Sequence, residues 1–439
     1  ERVGLPAATI HRIADDLGKA RRAICYGRMG TCVQEHGTTC TLLLDLINAL
    51  TGNLDREGGV RFASAAVDLV PISALAGPQL QKGTSRVGKR PSFLGELPVA
   101  ALLEELETPG EGQIKAMIVH AGNPVLSNPN GSRLAEAMAG LDLLVSVDLF
   151  VNETSSLAHY ILPTPVALER AHFPLLFSGQ GIRNYTSFDE ALVPAPKDTR
   201  EGWDILLEIA ERVLAARGLP HKVAALGIRG LRKLGPDPIL NLLLRVGPQR
   251  HHKLSLAALH ALGNTLDLGP LESRLSEILR FSRRKLNLFP ELLSAEIGNL
   301  SRQLDDAQAE LVLISRRTLR SNNSWMHNAP RLMRGGTRCT LEVHPSDAER
   351  CRVKDGELAT LSSDVGSVQV PVHVTENIMP GVVCLPHGFG HARKGTRLGV
   401  ASAQPGASVN DVIDPRRVDH VSGTSALSGQ PVRLAPSAL

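Results

Sequence analysis

Residues 114–154 read IKAMIVHAGNPVLSNPNGSRLAEAMAGLDLLVSVDLFVNET, and this stretch decides the fold. The apolar run from Ile114 to His120 is too short for a helix and stops at Gly122-Asn123-Pro124, so it is expected to be a buried strand entering a tight turn. Asn130-Gly131-Ser132 can start a helix, Leu134, Ala137 and Met138 mark its packed face, and Gly140 stops it. Leu143 to Val147 form a second apolar strand ending on Asp148. Such a βαβ unit implies a doubly wound parallel sheet, in which ligands sit at the carboxyl ends of the strands.

Those ends carry Gly122-Asn123-Pro124 and Asp148. A glycine turn lets backbone N–H groups approach a phosphate, and a carboxylate one strand away can accept from a ribose or from the N–H groups of guanine. A G-x-G-x-x-G fingerprint is missing, which argues against an ordinary NAD site. The residues alone leave two readings open: a nucleotide site, or a plain βα turn followed by a capping aspartate.

Working outward, residues 7 to 22 are expected to form an amphipathic helix with Ile10, Ile13, Ala14 and Leu17 on one side, followed by a short strand at Ala23 to Tyr26. Gly27-Arg28-Met29-Gly30-Thr31 ends that strand, and a helix from about Thr38 to Leu50 closes on a glycine-bounded loop. Val60 to Ser92 is irregular, Leu94 to Leu106 is expected to be helical, and Ala158 to Pro163 gives a third parallel strand. Arg183-Asn184-Tyr185 is expected in a loop, and Glu201 to Arg217 in a helix packed through Trp203, Leu206, Leu207 and Ile209. From there to about Leu304 the chain is expected to be helical and irregular, rich in Leu, with no evident chemistry; His251, His252 and His260 are read as surface or capping residues.

The period then changes. Glu310 to Ser315, Thr340 to His344, Glu357 to Ser362, Val368 to Val374 and Gly381 to Leu385 are short strands separated by glycine turns, which together make a small β barrel with one helix at Ser346 to Cys351. The loop Arg316 to Asn328 is costly to order unless it meets a polar partner, and its Arg, Asn and Ser residues suit phosphates and a heterocycle edge. The tail, with Asn410-Asp411 and Ser422-Gly423-Thr424, is equally hard to explain by folding alone.

Composition narrows the function classes. A chain of 439 residues with 43% hydrophobic content has room for two or three cores. A net charge of +4 and 3% aromatics argue against nucleic acid as a partner. The one basic cluster, Arg280, Arg283, Arg284 and Lys285, is read as a solvated helix end. No run of about eighteen apolar residues is present, so no membrane span is expected, and the location expected is cytoplasmic. The six cysteines form no Cys-x-x-Cys pair and are expected to be reduced structural thiols, so no metal site is assigned. The first residue is Glu, and the chain is expected to begin inside a longer protein.

The order of these features is similar to that of the molybdopterin oxidoreductases of the dimethyl sulfoxide reductase class. The resemblance runs through Gly27-Arg28-Met29-Gly30 with Gln34-Glu35-His36-Gly37, Leu50-Thr51-Gly52-Asn53, Ala121-Gly122-Asn123-Pro124, Val147-Asp148 with Asn152-Glu153-Thr154 and Ile161-Leu162-Pro163, Arg317-Thr318-Leu319 to Trp325-Met326-His327-Asn328, and Asn410-Asp411. It covers nearly the whole chain and points toward formate dehydrogenases and assimilatory nitrate reductases. It implies an α/β dinucleotide-binding domain over 1–215, a helical and irregular connection over 216–306 and a C-terminal double-psi barrel over 307–439, holding a bis(molybdopterin guanine dinucleotide) with molybdenum. By the same resemblance Met29, Gly30 and Gln34 contact a pterin, Gly122, Asn123 and Pro124 lie against phosphates, and Asp148 binds guanine. Ser315, Arg317, Thr318, Ser324, Trp325 and His327 then hold the other arm, and Asn410 reaches a pterin. The family's cluster-binding cysteines and its molybdenum ligand have no counterpart in this sequence, so the catalytic residues are unassigned and any iron–sulfur cluster is expected upstream. The expected partners are a small-molecule substrate and an electron-transfer subunit. The alternative is a truncated, non-catalytic cofactor-binding module.

Overall fold

The computed structural model describes residues 3–68, 80–93, 95–263, 265–279, 285–303, 310–336 and 338–437. Its centre is the expected βαβ unit. Strands Ala116–His120, Leu143–Val147 and Tyr160–Leu162 pair in parallel in chain order, with Val119 opposite Ser146 and Val145 opposite Tyr160. The helix Gly131–Ala139 crosses between the first two, capped by the Asn130 carboxamide on the Arg133 N–H and ended by Gly140. One face of the sheet is dry: Val119 and Leu144 pack with Leu103, Leu106, Leu134 and Met138. The other face leaves Ile118 41% and Tyr160 63% exposed.

The second unit is a closed barrel in the order Leu358–Ser362, Ser367–Val374, Leu341–Val343, Val382–Pro386, Leu311–Arg316, Gln430–Pro436. Two of its pairings are parallel and four antiparallel. The alternating pattern sends Leu311, Leu313, Leu341, Leu361, Val370, Val383 and Leu385 inward, where Val412 and Ile413 complete the core. The helix Pro345–Cys351 lies where the sequence places it. Closure depends on the Gln430–Pro436 strand, which the sequence reading left in an unassigned tail.

Other expectations change. Residues 23–28 are extended but pair with no strand; the Asn48 carboxamide instead takes the Cys25 N–H (2.8 Å) and donates to the Cys25 carbonyl (2.7 Å). That side chain does what a neighbouring strand would do. The helix expected over 94–106 is a single turn, Val99–Ala101, running into Leu102–Glu107, and the irregular stretch before it contains the hairpin Leu80–Thr84 with Pro91–Phe93. Arg183–Thr186 is a strand, paired antiparallel with Leu266–Pro270. The helix Ala7–Lys19 forms, yet buries no residue, and its Ile10 and Ile13 are about half exposed.

The connecting segment carries the helices His221–Leu234, Pro236–Val246 and Leu256–Leu262, followed by the strand Leu266–Pro270. Arg229 and Arg232 of the helix His221–Leu234 pair with Glu211, Asp204 and Glu208 of Gly202–Ala216. Arg280, Arg283 and Arg284 lie outside the described residues. Among those described, no helix is long and apolar enough to cross a membrane, and no cluster of His, Cys, Asp or Glu is arranged to hold a metal ion.

Candidate cofactor-binding site

At the carboxyl end of the parallel sheet, the chain leaves the first strand through Ala121 in the left-handed region (φ +52°) and turns at Gly122. A Cβ at Gly122 would meet nothing nearer than the Val119 side chain at 3.6 Å, an ordinary contact, so packing does not demand glycine. The Gly122 and Asn123 N–H groups donate to nothing among the described residues. The Asn123 side chain is occupied within the protein: Nδ2 donates to Glu153 Oε2 (2.8 Å) and Oδ1 accepts from the Thr154 hydroxyl (2.8 Å). Pro124 opens the short helix that follows.

Asp148 caps its own loop, accepting from the N–H groups of Leu149 (2.6 Å) and Phe150 (3.3 Å) and from Asn152 Nδ2 (2.9 Å). Its half-buried carboxylate is thereby held at the strand end where the sequence places it. Asn152 in turn accepts from the N–H groups of Thr154 and Ser155, which rigidifies the Asn-Glu-Thr segment.

The barrel supplies the opposing wall. The Ser315 hydroxyl, near the end of its strand, is buried without a partner among the described residues, and so is Asn410 Oδ1. The Asn410 Nδ2 donates to the Leu126 carbonyl (2.6 Å) and its carbonyl accepts from the Asn130 N–H (2.7 Å), so this residue ties the barrel to the turn after Pro124. Arg317 bonds Asn323 within the loop, Ser324 precedes the turn Trp325–Asn328 with no side-chain cap and accepts the His327 N–H on its backbone carbonyl, and Trp325 is 56% exposed. Met29 and Gly30 are also open to solvent. Gln34, by contrast, is spent locally on the Thr31 carbonyl, the Cys40 sulfur and the His36 N–H. The Gln34 turn reaches the barrel through its neighbour: the Ser428 N–H donates to the Val33 carbonyl and the Ser428 hydroxyl accepts from the Ser315 N–H.

The structure joins Thr318 and His327 to three residues that the sequence did not assign, Ser321, His391 and Glu153. Thr318 and Ser321 are hydroxyl to hydroxyl; Ser321 Oγ lies 2.6 Å from His327 Nε2; His327 Nδ1 lies 3.0 Å from His391 Nε2; and His391 Nδ1 lies 2.8 Å from Glu153 Oε1. His327, His391 and Glu153 are each 1% exposed. One buried polar chain therefore crosses from the barrel loop to the α/β domain and ends on Asn123. Burial pushes His327 down to about 4, aided by its proximity to His391, and Phe389 covers its ring at 4.3 Å. Burial opposes ionisation of Glu153, but hydrogen bonds and charge from His391, with the Asn123 carboxamide, outweigh it and hold the carboxyl below its ordinary range. The local signal was the run Gly388-Phe389-Gly390-His391: a Cβ on Gly388 (φ +96°) would lie 2.2 Å from the Asn323 carbonyl, so only glycine lets this loop pass.

A parallel α/β domain latched through a buried polar seam to a closed six-stranded barrel defines a class of protein in which ligand-facing loops of two domains meet. A model of the molybdopterin oxidoreductases matches residues 3–212, and a model of the molydopterin dinucleotide binding domain matches residues 311–431. The chain belongs to the molybdopterin oxidoreductase family, and its barrel is the domain that binds the dinucleotide cofactor. It is 25% identical to the NADPH-Fe(3+) oxidoreductase subunit alpha of Geobacter sulfurreducens, over 67% of this chain and 30% of that protein. It is 24% identical to a formate dehydrogenase subunit alpha of Methanocaldococcus jannaschii, over 88% of this chain and 56% of that protein. Acetylene hydratase from Pelobacter acetylenicus shares the fold, with a TM-score of 0.68 at 16% identity over 99% of this chain and 63% of that one. The chain thus spans about half the length, or less, of these curated relatives.

Proposed function

We propose that this chain is the cofactor-holding portion of a molybdenum oxidoreductase, gripping a bis(molybdopterin guanine dinucleotide) between its α/β domain and its barrel. One observation carries the reading: both domains bring unspent hydrogen-bonding groups to the same seam. These are the N–H groups of Gly122 and Asn123 on one side and the buried, unpartnered Ser315 hydroxyl and Asn410 carboxamide Oδ1 on the other. Buried polar groups ordinarily find partners, and this set fits a ligand rich in phosphate oxygens and heterocycle N–H groups.

When bound, the cofactor supplies two-electron chemistry of the formate dehydrogenase or nitrate reductase kind, and the protein supplies binding and orientation. Gly122 and Asn123 would offer their N–H groups to phosphate, and Asp148 would take the guanine edge. Ser315, Thr318 and Asn410 would engage the other arm, with Met29 and Gly30 beside a pterin. A partner subunit would take or supply the electrons; two of the relatives are themselves named as subunits.

Asp148→Asn tests this reading, because it keeps one oxygen for the Leu149 N–H while removing the charge that would accept from guanine. A charge-assisted contact is worth about 1.5–3 kcal/mol, so guanine-dinucleotide retention should fall by roughly 10- to 100-fold. Pterin and guanine released from the purified chain are the readout. Wild-type protein that takes up neither, or a variant that retains both undiminished, overturns the proposal.

A further inference from the structure

We propose that the helices His221–Leu234 and Pro236–Val246 form a docking surface for an anionic lipid bilayer, lying on it without crossing it. This surface is independent of the proposed cofactor site, none of whose residues it uses.

Each helix leaves an apolar stripe in solvent. Val223, Leu226 and Leu234 recur at helical spacing on the first, opposite the buried Ala225 and the Arg232 that pairs with Asp204 and Glu208. All three are exposed, Leu226 by 63%. The second helix repeats the pattern. Ile239, Leu242 and Val246 are exposed, Leu242 by 59%, while Leu244 on the other side is buried in the core with Ala66 and Val67.

The charge around these stripes has one sign. From Arg212 to Leu266 the sequence holds nine Lys and Arg and a single acidic residue, Asp237, although the whole chain nets only +4. Arg212, Arg229 and Arg232 are spent on Glu208, Glu211 and Asp204. Lys222, Lys233 and Arg245 are exposed and pair with no carboxylate among the described residues. On the helical repeat Lys222 and Lys233 border Leu226, and Arg245 borders Leu242 in the same way, so each stripe carries a basic edge.

That combination selects the occupant. Leu and Val can enter the acyl boundary of a bilayer while Lys and Arg stay with the anionic headgroups. A protein partner is a poorer match: residues 212 to 266 include no Trp, Tyr, Phe or Met to anchor one, and lysine is depleted at protein interfaces. A second copy of the chain would set like charges against each other. Nucleic acid would use the charges but leave the leucines in water.

Co-sedimentation of the full-length protein with vesicles tests this, using phosphatidylcholine alone and phosphatidylcholine mixed with phosphatidylserine. The expected result is binding to the mixed vesicles that weakens with salt, and little binding to phosphatidylcholine alone. Each basic residue at such a surface is worth about fivefold, so Lys222→Gln with Lys233→Gln should lower binding roughly 25-fold. Leu226→Ser with Leu242→Ser should also lower it, and both leucines are exposed enough to leave the core intact. Wild type that ignores the mixed vesicles, equal binding to the two compositions, or a double variant that binds like wild type overturns the proposal. So does a dimer that Leu226→Ser disperses, which would give the face to a second copy. Should the leucine pair not fold, the lysine pair and the salt dependence still decide it. Cofactor content should be unchanged in both variants, so a failure here leaves the proposed function standing, and a failure to load cofactor leaves the vesicle result readable.

Discussion

Asp419 is fully buried and holds together parts of the chain 381 residues apart, which makes it the sharpest place to perturb the fold. Its carboxylate accepts from the Thr38 N–H (3.1 Å) and hydroxyl (2.6 Å), in the first turn of the helix Gly37–Leu50, and from the Ser422 N–H (2.8 Å) and hydroxyl (2.6 Å). The helix has no cap from its own N-cap residue, His36; the tail provides the acceptor and the negative charge that a helix N-terminus favours. Asp419→Ala leaves the two hydroxyls free to rotate but strands two N–H groups, each costing about 1–3 kcal/mol when buried and unpaired. The expected loss is about 4 kcal/mol, and about 2 kcal/mol for Asp419→Asn, which keeps one acceptor oxygen. Urea titration at neutral pH measures the loss, and hydrogen exchange at Thr38 and Ser422 locates it. A change in Asp419→Ala below about 1 kcal/mol, or exchange unchanged at both amides, refutes the reasoning. The pH dependence supplies a second check. Burial opposes ionisation, but the Ser422 and Thr38 hydrogen bonds outweigh it and hold the folded-state pKa below the unfolded value of about 3.9. The contribution is therefore complete above pH ~4 and is lost as pH falls through the lower, folded value, so the gap between wild type and Asp419→Asn should be flat from neutral pH and close only below about 4.

His327 gives the opposite pH window. An unfolded histidine takes its proton near 6.5 and the folded one only near 4, so the unfolded state binds more protons between those values and stability should drop by up to about 3 kcal/mol as pH falls across them; a thermal melt series that is no steeper in wild type than in His327→Gln would contradict it. Among the thiols, burial pushes Cys339 and Cys384 up to about 11, while Cys32 is exposed. Iodoacetamide at mildly alkaline pH should label Cys32 first and reach the other two only in denaturant, and native labelling of either at the rate of Cys32 would show that the barrel does not pack this way.

Much of this architecture is legible because its signals are local. Asn130 and Gly140 bracket a helix within a dozen residues, and the glycine turns at Gly356 and Gly366 punctuate the barrel strands near their own ends. Signals fail where the partner is distant or is not backbone. The Ala23–Tyr26 stretch has strand composition, but its backbone bonds a side chain, Asn48, and no periodicity announces that. Gln430–Pro436 carries two prolines and reads as a tail, yet it closes the barrel because its partners, Leu311–Arg316 and Leu358–Ser362, present free edges far upstream. Ser422 and Thr424 have no evident folding role in the sequence; Ser422 serves Asp419 directly, and Thr424 pairs with Ser422 and with the Asp419 backbone.

The same physics explains what the motifs revealed of the site and what they concealed. Family resemblance points to Asn123, Thr318 and His327 as separate contacts to one cofactor, but in the protein they are members of one hydrogen-bonded chain, joined by Ser321, His391 and Glu153. Glu153 was visible in the sequence, yet a carboxylate in a polar turn declares nothing until a histidine 238 residues away lies against it. What brings that histidine in is a matter of space: Gly388 passes the loop backbone and Gly390 (φ +121°) passes Ser408 and Leu126, each where a Cβ would collide. A side chain at either glycine would push this loop off the seam and break the chain at His391, so the two halves of the proposed clamp cannot be loosened independently.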